Sequence, residues 1–144
     1  MAVILASSCL LGCECRYKGD GCKCDALIKL AESNTIIGVC PEQMGGLPTP
    51  RDPAERQGDK VISCAGKDVT KAYTKGAETA LHFAKLNHVD FAVMKAKSPS
   101  CGKGLIYDGT FTGNKIPGNG VTVELLNTNG IPVFTEDELD QLPL

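Results

Sequence analysis

The sequence predicts an α/β fold, a three-layer α/β/α sandwich on a mostly parallel sheet of about four strands. Two observations lead to this prediction. Four short apolar runs, most of them rich in β-branched residues, recur along the chain, as in strands that are buried on both faces of a sheet. Helical patterns separate these runs, and parallel strands require such crossover connections. With 144 residues, 42% of them hydrophobic, we expect one domain, residues 1–144.

The elements follow in chain order. The predicted strands cover residues 3–6, 36–39, 91–94 and 131–134. The strongest helical pattern is residues 68–87, with Asp68 as a plausible N-cap, and its apolar face contains Tyr73, Ala77, Ala80, Leu81 and Ala84. Shorter helices are predicted around residues 27–31 and 121–127, the latter ended by Gly130, and Thr135 with Glu138 forms a capping box. This order is typical of Rossmann-like and flavodoxin-like folds.

Two long segments, residues 41–66 and 97–117, are rich in Gly and Pro and are expected to be irregular. Both leave from the carboxyl ends of predicted strands. Ligands bind at that edge of an open α/β sheet, so we expect the functional site there.

Composition excludes several classes of protein. The formal net charge is −2 and the basic residues are dispersed, so nucleic acid is not an expected partner. The apolar opening at residues 2–6 is too short for a membrane span and lacks the preceding basic residues of a signal sequence. Eight cysteines without a secretion signal indicate reduced thiols that serve metals or chemistry, and we therefore predict a cytoplasmic protein.

Three of the cysteines follow successive predicted strands. Cys9 lies just beyond the first strand, Cys40 ends the second, and Cys101 lies in the loop after the third. Their thiolates are expected to meet at one sheet edge as a tripod that holds three corners of a cubane cluster and leaves one metal position open. An open position lets a substrate bind as a ligand. The alternative is that the buried cysteines act as small apolar residues.

Five ordered segments carry a family resemblance: Ser8-Cys9-Leu10-Leu11-Gly12 with Cys15-Arg16-Tyr17, Cys40-Pro41-Glu42 with Gly45-Gly46-Leu47-Pro48-Thr49-Pro50-Arg51, Gly66-Lys67-Asp68-Val69-Thr70, Lys95 with Ser98-Pro99-Ser100-Cys101-Gly102, and Ile106-Tyr107-Asp108-Gly109-Thr110-Phe111. They closely resemble a bacterial family long classed as a domain of unknown function, whose characterised members are thiouracil desulfidases. The resemblance runs from residue 3 to about residue 136.

The resemblance implies a [4Fe-4S] cluster held by Cys9, Cys40 and Cys101. Its unique iron would take the sulfur from a thiolated nucleobase such as 2-thiouracil, or from a related small thioamide, and water would supply the replacing oxygen. Glu42 and Ser98 match polar positions of the family. We assign Glu42 to proton transfer and Ser98 to positioning substrate or water. As alternatives, Glu42 caps the turn after Pro41 and Ser98 is an ordinary turn former.

Further candidates surround these positions. The predicted substrate-binding residues are Ser8, Arg51, Lys95, Ser100 and Asp108. Arg51 binds an anion or a substrate carbonyl, or else forms a surface salt bridge. Lys95 reaches the pocket edge or pairs with a carboxylate such as Asp108. The candidates for stacking on a base are Tyr17, Tyr107 and Phe111, with a core position as the alternative, and His82 and His88 are expected at the surface or at a helix end.

The remaining cysteines leave a second interpretation open. Cys15 could be a fourth ligand that closes the cluster, which would favour a structural or electron-transfer role. Cys13, Cys22 and Cys24, together with Cys15, form two C-x-C pairs, but a second metal site there is the less favoured interpretation, and Cys64 is an isolated addition. The alternative function is a non-catalytic protein that binds zinc or an iron–sulfur cluster, or senses redox state through these thiols.

Overall fold

Eight strands and four helices make up the fold, in a computed structural model that describes residues 1–144. The strands are β1 (Val3–Ser7), β2 (Thr35–Val39), β3 (Ala54–Gln57), β4 (Lys60–Ser63), β5 (Phe91–Met94), β6 (Leu105–Tyr107), β7 (Lys115–Pro117) and β8 (Val133–Thr135). The helices are α1 (Asp25–Lys29), α2 (Pro41–Met44), α3 (Thr70–Leu86) and α4 (Val121–Thr128), with 3-10 turns at Ser8–Leu11, Leu30–Glu32 and Glu136–Gln141. None of the helices has the length and apolar character that a membrane span requires.

The central sheet has the order β2-β1-β5-β8, and every neighbouring pair is parallel. The chain moves from β1 outward to β2 and then crosses back over β1 to β5. Right-handed crossovers in opposite directions place their helices on opposite faces of the sheet. The predicted α/β/α sandwich with a parallel four-stranded sheet is therefore confirmed, and the switch point lies between β1 and β5.

Alternate residues of the strands build two core layers. Leu5 and Ala92 pack with Ala80 of α3 and Leu126 of α4 on one face. The other face has its own cluster: Ile4, Ala6, Phe91 and Val93, with Leu27 of α1. Since both faces of the sheet are covered, its strands consist of continuous apolar runs, which is why they could be predicted from the sequence.

The predicted elements are confirmed with small shifts of their ends. The strand predicted from residue 131 begins at Val133, and α3 begins at Thr70, so Asp68 is not its N-cap. The Asp68 carboxylate instead accepts a hydrogen bond from the Thr70 N–H at 2.9 Å, in the turn that precedes the helix. Gly130 has φ +77° just past α4, and the Thr135–Glu138 capping box is present.

The prediction that both long segments are irregular is wrong. Each contains a two-stranded antiparallel hairpin, β3 with β4 and β6 with β7. These strands are three or four residues long and partly polar, so they lack the apolar alternation that indicates a strand. The two hairpins touch, since Gln57 Nε2 donates to the Gly109 carbonyl at 2.9 Å.

Candidate active site

A cavity of about 530 Å³ lies at the carboxyl ends of β1, β2 and β5. Residues directly after each of these three strands line it, and side chains from both hairpins close its outer side. This is the crevice at which the strand order reverses, the usual ligand position in an open α/β sheet. The volume lies within the range of small-molecule and cofactor sites.

Cys9, Cys40 and Cys101 all line this cavity. Cys9 lies in the 3-10 turn after β1, Cys40 precedes α2, and Cys101 lies in the loop after β5. Cys15 joins them as a fourth lining residue, and its main-chain carbonyl lies 3.8 Å from the Cys40 Sγ. The structure therefore brings the predicted tripod to one place and adds one buried thiol beside it.

Three of these thiols, Cys15, Cys40 and Cys101, have raised pKa values, which favours their neutral form. Burial raises the pKa of Cys101 to about 12. The neighbouring Cys15 side chain and burial raise the pKa of Cys40. The hydrogen bond with Cys40 lowers the pKa of Cys15, but contact with Cys9 and burial outweigh it and raise that pKa to about 11. Crowded thiols of this kind release their protons when a metal centre binds.

The donor set fits a cluster and not a single ion. No group of three or more His, Cys, Asp or Glu side chains is arranged to hold one metal ion. Three thiols around a cavity fit a cubane, since each binds a different iron. Cys9, Cys40 and Cys101 are the residues that could hold three corners of a [4Fe-4S] cluster, and Cys15 lies beside them as a further thiol of the same cavity.

Glu42 projects into the cavity two residues after Cys40, and two donors clamp its carboxylate. The Tyr73 hydroxyl donates to Oε1, and Arg51 Nη2 donates to Oε2 at 2.5 Å. Burial and the Glu42 carboxylate raise the pKa of Tyr73, so the phenol stays protonated and remains a donor. The carboxylate therefore has one fixed orientation beside the cysteines.

Close packing of α2 on α3 brings Glu42 to Tyr73. A Cβ on Gly76 would lie 1.8 Å from the Pro41 carbonyl oxygen, and a Cβ on Gly45 would lie 1.9 Å from the Ala72 carbonyl oxygen. Only glycine permits this approach of two backbones. Gly76 weakens the helix interior locally, and its presence is explained by this contact.

Arg51 donates hydrogen bonds to Glu42, to a main-chain carbonyl and to a threonine hydroxyl. Its Nη2 also donates to the Cys15 carbonyl at 2.9 Å, and Nη1 donates to Thr49 Oγ1 at 3.0 Å. The side chain is only 5% exposed and does not line the cavity, so the alternative of a surface salt bridge is wrong. Burial lowers the pKa of the guanidinium, but the Glu42 carboxylate outweighs it and the pKa is raised.

Ser98, Ser8 and Lys95 line the cavity. Ser98 Oγ accepts hydrogen bonds from the N–H groups of Ser100 at 3.1 Å and Cys101 at 3.0 Å, so it also shapes the loop that carries Cys101. Lys95 Nζ pairs with Glu136 Oε2 at 2.8 Å. Lys95 thus both lines the cavity and pairs with a carboxylate, as expected, but its partner is Glu136 and not Asp108.

The structure does not bring Ser100 and Asp108 into the cavity. Ser100 is buried, and its hydroxyl is hydrogen-bonded to Thr122 Oγ1 at 2.8 Å. Asp108 Oδ1 accepts from the N–H and the hydroxyl of Thr110 at 2.9 and 2.6 Å, within its own turn. Both side chains are used in local structure, so neither contacts the cavity in which we predicted substrate.

Two residues that contact predicted site residues, Tyr73 and Ser7, were not among the site candidates of the sequence. The helical pattern places Tyr73 on the apolar face of α3, and no sequence signal reveals that its hydroxyl reaches Glu42. The Ser7 hydroxyl accepts from the Lys95 N–H at 2.9 Å and lowers the pKa of the Cys101 thiol by hydrogen bonding, although burial prevails. Ser7 ends β1, at the sheet edge where we expected the functional site, and this position was the sequence signal that could have identified it.

The aromatic candidates lie at the cavity, whereas the two histidines lie away from it. Tyr17, Tyr107 and Phe111 all line the cavity, so the alternative of a core position is wrong for all three. His82 and His88 lie on or just after α3 and outside the core, as predicted.

The additional cysteines lie outside the cavity. Cys13 and Cys64 are exposed, and Cys22 and Cys24 are half-buried. They are not gathered into a group that could hold a metal ion.

Three strand-end cysteines and a clamped carboxylate around one cavity define an α/β protein that holds an iron–sulfur cluster beside a small-molecule site. A model of the 2-thiouracil desulfurase family matches residues 4–138. The chain belongs to this family, which confirms the predicted resemblance.

Two relatives match over nearly the full length. The uncharacterized protein YbbK of Bacillus subtilis (strain 168) is 42% identical over 150 residues, which cover 97% of this chain and 99% of the relative. A solved structure of the [4Fe-4S]-dependent thiouracil desulfidase TudS is 44% identical and superposes with a TM-score of 0.94, covering 99% of this chain and 95% of that one.

Proposed function

We propose that this protein is a [4Fe-4S]-dependent desulfidase that converts a thiolated nucleobase such as 2-thiouracil into the oxo base and sulfide. The convergence of Cys9, Cys40 and Cys101 on one cavity carries the proposal, because these thiols fit a cluster with one open iron. The family match over residues 4–138 and the likeness to TudS support the same activity.

The net reaction replaces sulfur by oxygen, and no atom changes its oxidation state. The C=S bond of the base and the O–H bonds of water are broken, a C=O bond forms, and sulfide leaves with the protons of water. When bound, the cluster supplies a Lewis-acidic iron for the soft thiocarbonyl sulfur. The protein must then move protons between water and the departing sulfur.

Glu42 is the residue that we assign to proton transfer. Its carboxylate lines the cavity next to Cys40, and its two clamps, Tyr73 and Arg51, leave it a single orientation. A carboxylate in fixed geometry accepts a proton from an attacking water more effectively than a mobile one. Its position two residues after the proposed cluster ligand Cys40, at the wall of the same cavity, supports this assignment.

Ser98 is the residue that we assign to positioning substrate or water. Because its oxygen already accepts two N–H bonds, its own proton is free to be donated into the cavity. Ser8 and Lys95 line the same cavity and are proposed to contact substrate. Ser100, Asp108 and Arg51 are not proposed as contacts, because their side chains do not line it.

We propose the cytoplasm as the compartment of this enzyme. All eight cysteines are free thiols, which is typical of a reducing compartment. A small free base is the proposed partner, since the net charge of −2 offers no attraction for nucleic acid.

The test uses anaerobically prepared protein reconstituted with iron and sulfide. Given 2-thiouracil, it is expected to release uracil and sulfide in equal amounts. A cluster-loaded protein that yields no sulfide from 2-thiouracil or other thiolated bases would refute the proposed activity.

Iron content tests the ligand set separately. Cys9→Ala, Cys40→Ala and Cys101→Ala are each expected to lose iron and acid-labile sulfide, whereas the matched control Cys64→Ala keeps both, because Cys64 is exposed and outside the cavity. Retention of full iron in all three variants contradicts the tripod. Of the four thiols on which the alternative function depends, Cys15 alone lines the cavity, and Cys13, Cys22 and Cys24 are not gathered with it into a group that could hold a metal ion.

A further inference from the structure

Three residues other than glycine have a left-handed backbone: His88 (φ 51°), Lys97 (φ 67°) and Phe111 (φ 58°). His88 comes just after the last residues of α3, where this conformation commonly ends a helix. Lys97 and Phe111 both line the cavity. For a bulky side chain such as Phe, this conformation is strained, and strain that persists at a cavity indicates a functional constraint.

A single carboxylate from the neighbouring hairpin holds Phe111 in this conformation. Glu55 Oε1 accepts from the N–H of Gly109 at 3.0 Å and from the N–H of Phe111 at 3.2 Å. Gln57 secures the same turn through the Gly109 carbonyl. A Cβ on Gly109 would lie 2.8 Å from the Arg56 carbonyl oxygen, so the β6–β7 loop is pressed against β3.

Packing in the hydrophobic core does not explain why Phe111 adopts a left-handed backbone. The ring belongs to neither hydrophobic cluster of the fold and is part of a residue that is 38% exposed. Its backbone strain is thus maintained without the compensation of a buried side chain. In this conformation Phe111 lines the cavity together with Tyr17 and Tyr107.

We infer that Phe111 stacks on the planar ring of the substrate and makes the site selective for thiolated heterocycles over open-chain thioamides. This inference rests on the proposed function, whose substrate class it narrows. An aromatic ring stacks on every base but has no matching face on a small thioamide such as thiourea. Loss of such a stack weakens binding of a base by roughly 5- to 100-fold.

The experiment compares Phe111→Leu, Phe111→Gly and Phe111→Tyr in cluster-loaded protein. Leu keeps an apolar side chain without a ring, Gly removes both the ring and the strain, and Tyr keeps the ring. We expect Leu and Gly to raise the KM for the thiolated base roughly 5- to 100-fold with a smaller change in kcat, whereas Tyr stays within about twofold of wild type. The inhibition constant of thiourea is expected to be unchanged in all three.

Two measurements separate stacking from a structural role. Calorimetric Kd values for uracil, the product, should rise in parallel with KM, and they do not depend on turnover. The melting temperature of Phe111→Gly should be equal to or above that of wild type, because glycine relieves the positive φ. His88→Gly is the matched control, since it relieves a positive φ outside the cavity and should leave KM and the Kd of uracil unchanged.

The outcomes are distinguishable from failure of the proposed function. If wild type releases sulfide but Phe111→Leu keeps the wild-type KM and Kd of uracil, the stacking inference is overturned. If the KM for the thiolated base and the inhibition constant of thiourea rise together while the melting temperature falls, Phe111 is structural and the inference is again overturned. If wild type binds uracil and loses that affinity in Phe111→Leu but never releases sulfide, the stacking site stands and the activity does not.

Discussion

Arg51 and Glu42 form an ion pair at the wall of the cavity, with Nη2 2.5 Å from Oε2 and side chains that are 5% and 18% exposed. The same Nη2 reaches the Cys15 carbonyl, so one guanidinium joins the proposed proton-transfer group to the segment that carries a fourth cavity thiol. Arg51 therefore acts as a positioning residue for Glu42.

Replacement of Arg51 by Ala is expected to lower both rate and stability. It leaves the Glu42 carboxylate without its partner in a poorly solvated place, at a cost of about 3 kcal/mol in the free energy of unfolding. Sulfide release should fall roughly 10- to 100-fold. Urea unfolding and kcat are the measurements, and Arg56→Ala is the control, because its Glu124 partner is 59% exposed. Equal losses of kcat and of unfolding free energy in Arg51→Ala and Arg56→Ala would contradict the role of Arg51 as a positioning residue for Glu42.

Replacement of Tyr73 by Phe is expected to lower kcat with little change in KM. The ring stays packed, and only the hydroxyl that donates to Glu42 Oε1 is lost. Because Arg51 still holds the other oxygen, we expect a fall in kcat on the order of tenfold. Tyr107→Phe is the control, since Tyr107 also lines the cavity and keeps its ring in this variant, while the donors to Glu42 are Tyr73 and Arg51. Identical kcat values in wild type and Tyr73→Phe would show that the Tyr73 hydroxyl makes no contribution to the reaction.

Replacement of Gly76 by Ala is expected to destabilise the protein, although alanine normally favours a helix interior by about 1 kcal/mol over glycine. The added Cβ would lie 1.8 Å from the Pro41 carbonyl oxygen, so α2 must move away from α3 and carry Glu42 with it. A lower melting temperature and a lower kcat should therefore appear together. Glu78→Ala, at an exposed position of the same helix, should change neither. A stabilised Gly76→Ala would show that the two helices separate freely.

Glu138 gives the fold a pH-dependent contribution. Two hydrogen bonds from Lys103 Nζ, at 2.9 and 3.0 Å, and one from the Thr135 N–H outweigh burial and lower the pKa of Glu138. A carboxyl whose folded pKa is depressed stabilises the fold above its unfolded pKa of about 4.3, and this contribution is lost as pH falls through the folded pKa. Glu138→Gln should cost about 1 kcal/mol at pH 7.

Urea unfolding at several pH values checks this sign. The difference between wild type and Glu138→Gln should shrink as the pH is lowered from about 5 toward about 3, whereas the exposed Glu78→Gln should show no difference at neutral pH. A difference that grows on acidification would show that another group is responsible.

The parts of the fold that sequence could predict are those with strong local signals. Buried parallel strands are continuous apolar runs, α3 has a clear apolar face, and the capping box at Thr135 is local. The hairpins β3–β4 and β6–β7 could not be predicted, because their short, partly polar strands pair across turns without a periodic signal. Their omission also hid the contact through which Glu55 holds Phe111.

The sequence by itself determined the chain order of the four central strands and of the helices α1, α3 and α4, and it indicated the family. From this order it followed that Cys9, Cys40 and Cys101 come to the same sheet edge. Strand ends of a parallel sheet meet at one edge whatever the details of packing. Only the tertiary structure decided that Arg51 and Tyr73 clamp Glu42, that Cys15 joins the cavity, and that Asp108 stays out of it. These relationships depend on the docking of separate segments at ångström precision, which no local pattern of residues encodes.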